Sequence, residues 1–190
     1  MNGCMTDSQA REAYARFLAG DEDALVALVD AHKGGLIAFI QTIVGSYDVA
    51  QDLAIDVFAS LLANRKPFRG DSTFQTWLFA IGKHLAFRHI RRYGKQSLLS
   101  WDDFVFQTQA TQLEDGIIAA DDGRRIRAAL RDLKEDYRCV LYLLFFEGMS
   151  QQSVGAVMGK SHGQVHGLVD RAKRALRVRL ESEGFGYALE

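Results

Sequence analysis

Apolar residues recur along this chain with the 3.6-residue period of buried helix faces, and polar residues fill the positions between them. Residues 8–19 read as a short opening helix. Asp21, Glu22 and Asp23 form an acidic helix start, favourable against the helix dipole, and Leu25, Leu28, Val29, His32 and Leu36 follow at helical spacing. Ile37, Phe39, Ile40, Ile43 and Val44 extend that face up to Gly45, a helix stop. A third helix opens at Asp48, with Val49, Leu53, Val57, Phe58, Leu61 and Leu62 on its apolar face. Pro67 and Gly70 break helix, so 64–72 is a loop. Ser72-x-x-Gln75 is a capping-box pattern that opens a fourth helix, whose core face is Phe74, Trp77, Leu78, Ile81 and Leu85.

Periodicity is lost over 96–120, an acidic and polar stretch with Trp101, Phe104 and Phe106 as apolar anchors. It resumes near Asp121. Ile126, Leu130 and Leu133 predict one amphipathic helix, and 137–146 a second, more buried one. In the segment EGMSQQSVGAVMGKSHGQVHGLVDRAKRALRVRL, Ser150 can cap a short helix through Met158, and Gly159 suits a left-handed turn. Ser161-x-x-Gln164 is a second capping box. The last helix then runs to about Leu180, with Val165, Leu168, Val169, Ala172 and Leu176 inward. A short helix, a tight turn and a longer helix make a helix-turn-helix layout. The expected fold is therefore all-α: two small helical domains, 1–95 and 121–190, joined by an extended acidic linker, 96–120, the second a helix-turn-helix domain.

Composition narrows the function more than the fold. At 190 residues and 48% apolar, with a single proline, the chain can bury a helical core. Its longest apolar run, 140–146, is far short of the roughly 20 residues a membrane span needs. The N-terminus lacks the basic-then-apolar order of a signal peptide, so the chain reads as cytoplasmic, with Met5 an alternative start. Cys4 lies in the N-terminal tail and Cys139 inside an apolar helix, where a small core residue is expected rather than a reactive thiol. No metal-ligand spacing, phosphate-binding loop or nucleophile motif occurs, so neither a metal, a cofactor nor an enzymatic reaction is expected. Asp52 and Asp56 share a helix face, but a solvated or protein-docking surface explains them better than a catalytic pair.

Charge is strongly segregated. Residues 1–64 hold nine acids against three Lys/Arg; 65–95 hold eight Lys/Arg against one acid; 96–122 hold six acids and no Lys/Arg. Such blocks point to surfaces for different partners. Along 71–92, DSTFQTWLFAIGKHLAFRHIRR, basic and aromatic side chains share one helix without compensating acids. Lys and Arg neutralise phosphates, aromatic rings stack on unpaired bases, and a small polar loop such as FRGDST can hold a flipped base. For Trp77 a core role is the better reading; for the basic stripe, nucleic acid is.

Three segments carry a resemblance. KPFRGDSTFQTWLFAIGKHLAFRHIRR resembles the promoter-melting segment of bacterial sigma factors, and more closely that of the extracytoplasmic-function group. DVAQDLAIDVFASLLANR resembles the same group's polymerase-docking helix, and LFFEGMSQQSVGAVMGKSHGQVHGLVDRAKRAL its C-terminal helix-turn-helix. The resemblance implies a non-enzymatic subunit that binds core RNA polymerase, directs initiation from promoters by reading −35 and −10 elements, and captures the melted non-template strand. It assigns the −10 contact to Phe68, Arg69, Gly70, Asp71, Ser72, Thr73, Lys83, His84, Arg88, Arg91 and Arg92. It assigns the −35 contact to Ser161, His162, Gln164, His166, Arg171, Lys173 and Arg174, with Gln164 able to pair with adenine. Asp48, Asp52, Leu53, Asp56, Val57 and Phe58 would meet the polymerase β′ clamp helices; the β flap and promoter DNA complete the partners, with an anti-sigma factor as a candidate fourth.

The chain departs from the group's pattern at several points. His84 stands where Asn is common and Arg88 where an acid is. The last helix has His166, Gly167, Leu168 and Asp170 where Lys, Ser, Arg and His are usual, which removes phosphate-binding charge and adds a carboxylate. These departures keep two alternatives open: a degenerate sigma-like interaction protein, and a stand-alone helix-turn-helix DNA-binding regulator.

Overall fold

A computed structural model describes residues 5–65, 67–94 and 129–182. Four helices precede the undescribed stretch: α1 (Asp7–Leu18), α2 (Glu22–Val44), α3 (Tyr47–Asn64) and α4 (Phe74–Tyr93). After it, among the described residues, come a helical end at 129–131 and then α5 (Glu135–Leu141), α6 (Gln151–Met158) and α7 (His162–Ser182). Short polar caps set most boundaries. Thr6 and Gln9 close a capping box on α1, Asp21 caps α2 through the Ala24 N–H, and Ser46 caps α3 through the Val49 N–H.

Two boundaries differ from the sequence expectation. Thr73, not Ser72, caps α4, accepting from the Thr76 N–H at 3.1 Å. Gln75 is drawn away from a capping role because its amide donates to Glu147 at 2.8 Å, in the other half of the chain. The expected helix over 137–146 is α-helical only to Leu141; Tyr142–Phe146 forms a π turn. The wider turn brings residues five apart together, and Tyr142 Oη donates to Glu147 Oε1 at 2.8 Å. Ile126 and the anchors Trp101, Phe104 and Phe106 lie outside the described residues, as does Cys4; of the helix expected from Ile126, residues 129–131 are described and helical, and Leu130 and Leu133 are buried.

The first lobe is built around α2, on which α1, α3 and α4 all pack. Leu28, Leu36, Phe39, Ile40 and Ile43 of α2 are fully buried, as are Phe17, Val57, Phe74 and Leu78 from its neighbours. In the second lobe α5 packs on α7, and α6 and α7 form the helix-turn-helix. Gly159 takes φ +67°, the left-handed turn that the sequence predicts, and a Cβ on Gly155 would stand 2.8 Å from the Lys160 carbonyl. That close approach is what lets the two helices meet at so short a corner.

The lobes are separate in sequence but dock against each other, sharing one contiguous apolar cluster. Phe79 and Gly82 of α4, off the predicted core face, are buried against α2: the Phe79 ring lies 5.3 Å from Phe39, and a Cβ on Gly82 would stand 2.8 Å from Leu36. Ala86 is buried as well, and α6 also packs on α4. Polar contacts fix the register. Arg138 Nε donates to the Thr42 carbonyl at 3.0 Å, and its Nη1 donates to the Arg131 and Leu133 carbonyls. Tyr142 Oη reaches the Gly35 carbonyl at 3.2 Å, and Lys83 Nζ donates to the Met158 carbonyl at 2.7 Å. A buried guanidinium is tolerated where carbonyls accept from it; Arg138 is met at Nε and Nη1, while its buried Nη2 has no hydrogen-bond partner among the described residues.

Candidate nucleic-acid interface

The loop ahead of α4 rests on an aromatic floor. Phe68 is half-buried, 5.4 Å from Trp77 and edge-on to Phe74 at 6.0 Å; Tyr14 and His32 complete the cluster. Trp77 touches Tyr14, Phe68 and Phe74, in keeping with the core role expected of it. Above this floor Arg69 and Asp71 are exposed, Gly70 turns the chain with φ +81°, and Ser72 and Thr73 are half-buried. The Thr73 hydroxyl is engaged by the α4 cap, which leaves Arg69 and Asp71 as the loop's outward polar groups.

Along α4, His84, Arg88, Arg91 and Arg92 are all exposed at i, i+4, i+7 and i+8, one strip beginning about three turns beyond the loop. The Arg92 guanidinium lies 5.2 Å over the Tyr93 ring, and His89 packs on the same ring at 5.0 Å. Lys83 faces the other way. It lies against α6, and burial pulls its pKa below the ordinary lysine value. The residues expected at this surface thus fall in two places, the loop over 68–73 and the exposed strip on α4, and Lys83 lies apart from both at the lobe junction.

On α3 the expected docking set divides. Val57 is fully buried and Leu53 and Phe58 nearly so, all three inside the core of the first lobe. Asp48, Asp52 and Asp56 are exposed, and Ile55 and Leu62 join them on the outer face at 58% and 47% exposure. The outward surface is thus three carboxylates around two apolar side chains. Sequence periodicity missed Ile55 because it falls on the polar side, and misread Leu62 as inward.

In the second lobe Ser161 and Gln164 form the expected capping box: Gln164 Oε1 accepts from the Ser161 N–H at 2.8 Å, and the Gln164 N–H meets Ser161 Oγ at 3.4 Å. That contact occupies the Gln164 carbonyl oxygen, so bidentate adenine pairing requires the box to open. His162, His166, Arg171, Lys173 and Arg174 are exposed on α7. His166 Nε2 lies 3.8 Å from the Asp170 carboxylate, and Lys173 sits 5.4 Å over the exposed Phe145 ring. Gly163 and Gly167 leave a hollow of about 330 Å³ beside Gln164 and Arg171, walled by a Lys160–Asp136 ion pair at 3.1 Å. The sequence signal for that hollow was the glycine pair one helical turn apart; the ion pair had none.

The buried titratable groups lie elsewhere. Burial pushes the Cys139 thiol up to about 12, with Thr42 Oγ1 3.6 Å away. Burial lowers His32 and raises Glu147 and Tyr142. Among the described residues no cluster of His, Cys, Asp or Glu could hold a metal ion, and no helix is long and apolar enough to cross a membrane.

The Sigma-70 region 2 family model matches residues 28–96, and the Sigma-70, region 4 model matches 123–176. Among curated relatives, RNA polymerase sigma-H factor of Pseudomonas aeruginosa is 27% identical over 93% of this chain and 96% of its own. ECF RNA polymerase sigma factor EcfG of Rhodopseudomonas palustris is 31% identical over 78% and 81%, and YlaC of Bacillus subtilis 30% over 70% and 78%. Among solved structures, CnrH in complex with the cytosolic domain of CnrY superposes with a TM-score of 0.68 at 25% identity, covering 93% of this chain and 99% of that one. The sigma factor RpoE in complex with the anti-sigma factor NepR from Bartonella quintana gives 0.59 at 25% identity, over 77% and 89%. With both region models matched in order and relatives of this similarity over most of their length, the chain belongs to the extracytoplasmic-function group of RNA polymerase sigma factors, which bind core polymerase and promoter DNA and direct initiation without being enzymes.

Proposed function

We propose that the two lobes divide promoter recognition between them. Residues 1–95 dock on polymerase and capture the −10 strand, 96–120 link the lobes, and 121–190 read the −35 element. The first lobe holds the non-template strand with Arg69 and Asp71 of the loop and with His84, Arg88, Arg91 and Arg92 of α4. The observation that carries this reading is the exposed basic strip on α4, the helix that follows directly from a loop floored by aromatic rings. Phosphates meet the strip, an unpaired base meets the loop, and the binding offsets the few kcal/mol of unstacking.

The carboxylates of Asp48, Asp52 and Asp56, with Ile55 between them, suit a basic and partly apolar surface such as the β′ clamp helices. The second lobe reads duplex DNA through the first turns of α7, with Arg171, Lys173 and Arg174 on phosphates, and meets the β flap. Asp170 beside His166 weakens phosphate attraction there, so −35 affinity rests on the distal arginines. Because Lys83 is bound to the Met158 carbonyl, it joins the DNA surface only when α6 lifts from α4. The solved relatives' complexes make an anti-sigma factor a partner class for this chain too, acting with polymerase in the cytoplasm.

The test is strand opening by the reconstituted holoenzyme on a promoter mapped by start-site sequencing. Arg91→Ala with Arg92→Ala slows opening while affinity for core polymerase stays within twofold. Normal opening with impaired docking would sink the assignment.

A further inference from the structure

Helix α1 lies wholly before the residues matched by the region 2 model, yet it reaches the strand-capturing loop. Asp7 Oδ1 accepts from the Phe74 N–H, the first residue of α4, at 2.7 Å. Asp7 Oδ2 accepts from Arg11 Nε at 2.6 Å. Arg11 Nη2 donates to the Ser72 carbonyl at 2.8 Å, and its guanidinium lies 5.2 Å over the Phe68 ring. A Cβ on Gly70 would stand 3.1 Å from Arg11 Nη1, so the loop passes close beneath the guanidinium. One i, i+4 ion pair thus grips the loop near its start, at its glycine and at its junction with α4.

We propose that Asp7 and Arg11 are positioning residues that hold the 68–74 loop in the shape that receives the melted strand. The proposal rests on the −10 reading of that loop given above. The pair is not needed to hold α1 in place, since Ala10, Ala13, Tyr14 and Phe17 already bury its inner face. The loop itself has little to hold it: among the described residues, 67–72 make no backbone–backbone hydrogen bond. A loop that visits its receptive shape only part of the time binds more weakly by that fraction. Loss of the clamp that leaves the loop receptive a tenth to a fifth of the time weakens capture about five- to tenfold.

The experiment uses holoenzyme assembled from core polymerase and the full chain. Its probe is a labelled single-stranded oligonucleotide carrying the non-template −10 element of a mapped promoter, titrated by anisotropy at two salt concentrations. Asp7→Ala and Arg11→Ala each weaken binding about five- to tenfold, and the double variant is no weaker than the worse single, because one clamp is broken once. The slope of affinity with salt stays at the wild-type value, whereas a direct phosphate contact would lower it by about one. Arg11→Lys, which keeps a donor for Ser72 but not the planar group over Phe68, falls between. Core affinity and melting temperature match those of Glu12→Ala, an exposed control on the same helix. Arg69→Ala separates the two levels of the reading. If it weakens binding and the α1 variants do not, the clamp is overturned and the loop assignment stands; if it too binds like wild type, the loop assignment fails and the clamp with it. A changed salt slope for Arg11→Ala, or a lowered melting temperature with equally weakened core binding, also overturns the positioning role.

Discussion

Replacing Gly35 with alanine should reverse the sign of an ordinarily favourable change. Gly35 sits inside α2, where alanine is the better helix former by about 1 kcal/mol. The three atoms nearest a Cβ built there all belong to the Glu147 carboxyl group, with Oε1 at 2.5 Å. That carboxylate accepts from Tyr142 Oη and Gln75 Nε2, each at 2.8 Å; the Gln75 bond crosses from the first lobe to the second, and the Tyr142 bond lies within the second. Hydrogen bonds to a charged group contribute about 1.5–3 kcal/mol each, so displacing the carboxylate forfeits about 3–6 kcal/mol before rehydration. Rehydration of the freed charge returns roughly half of this, because its burial was itself unfavourable. After the helix gain, Gly35→Ala destabilises the chain by about 0.5–2 kcal/mol. With Glu147→Ala already present, the obstructing group is gone and the same change stabilises by up to about 1 kcal/mol. Urea denaturation of the four proteins of this cycle, followed by circular dichroism, gives a coupling of about 1.5–3 kcal/mol. Equal stabilisation by Gly35→Ala in both backgrounds would refute the packing of Glu147 against α2.

Three further outcomes are expected. Glu147 carries a raised pKa in the folded chain because of its burial, so the stability added by its proton is fully present below the unfolded value, near 4.5, and is lost as pH rises through the folded value; the stability of wild type relative to Glu147→Gln falls over that window in paired urea titrations. Cys139, with its thiol pushed up to about 12 and buried, does not react with a thiol reagent at pH 8 in a Cys4→Ser chain until denaturant is added, and labelling of the native protein would contradict its placement. Gly159→Ala lowers stability by about 1–2 kcal/mol through left-handed backbone strain alone, since nothing stands within 4 Å of the new methyl, while Gly155→Ala, free of that strain, presses its methyl on the Lys160 carbonyl and is worse; thermal melts that rank them the other way would exclude this corner geometry.

What the chain's own sequence determined is local. The period of Leu25 to Leu36, the acidic start at Asp21, the stop at Gly45 and the turn at Gly159 act within one or two helical turns, so they hold whatever packs around them. The exposed strip of His84, Arg88, Arg91 and Arg92 was legible for the same reason: charged side chains on one helix face stay solvated. Tertiary structure decided the rest. It drew Gln75 from its expected cap to Glu147, 72 residues away, and Arg11 to the Ser72 carbonyl, 61 residues away. It turned Lys83 to α6, left Ile55 and Leu62 of α3 outside, and set Tyr142 against Gly35 across 107 residues. Periodicity marks which face of a helix is apolar, but which second face is covered, and by what, depends on where distant helices come to rest; that is a property of packing between elements, to which no short window of sequence has access.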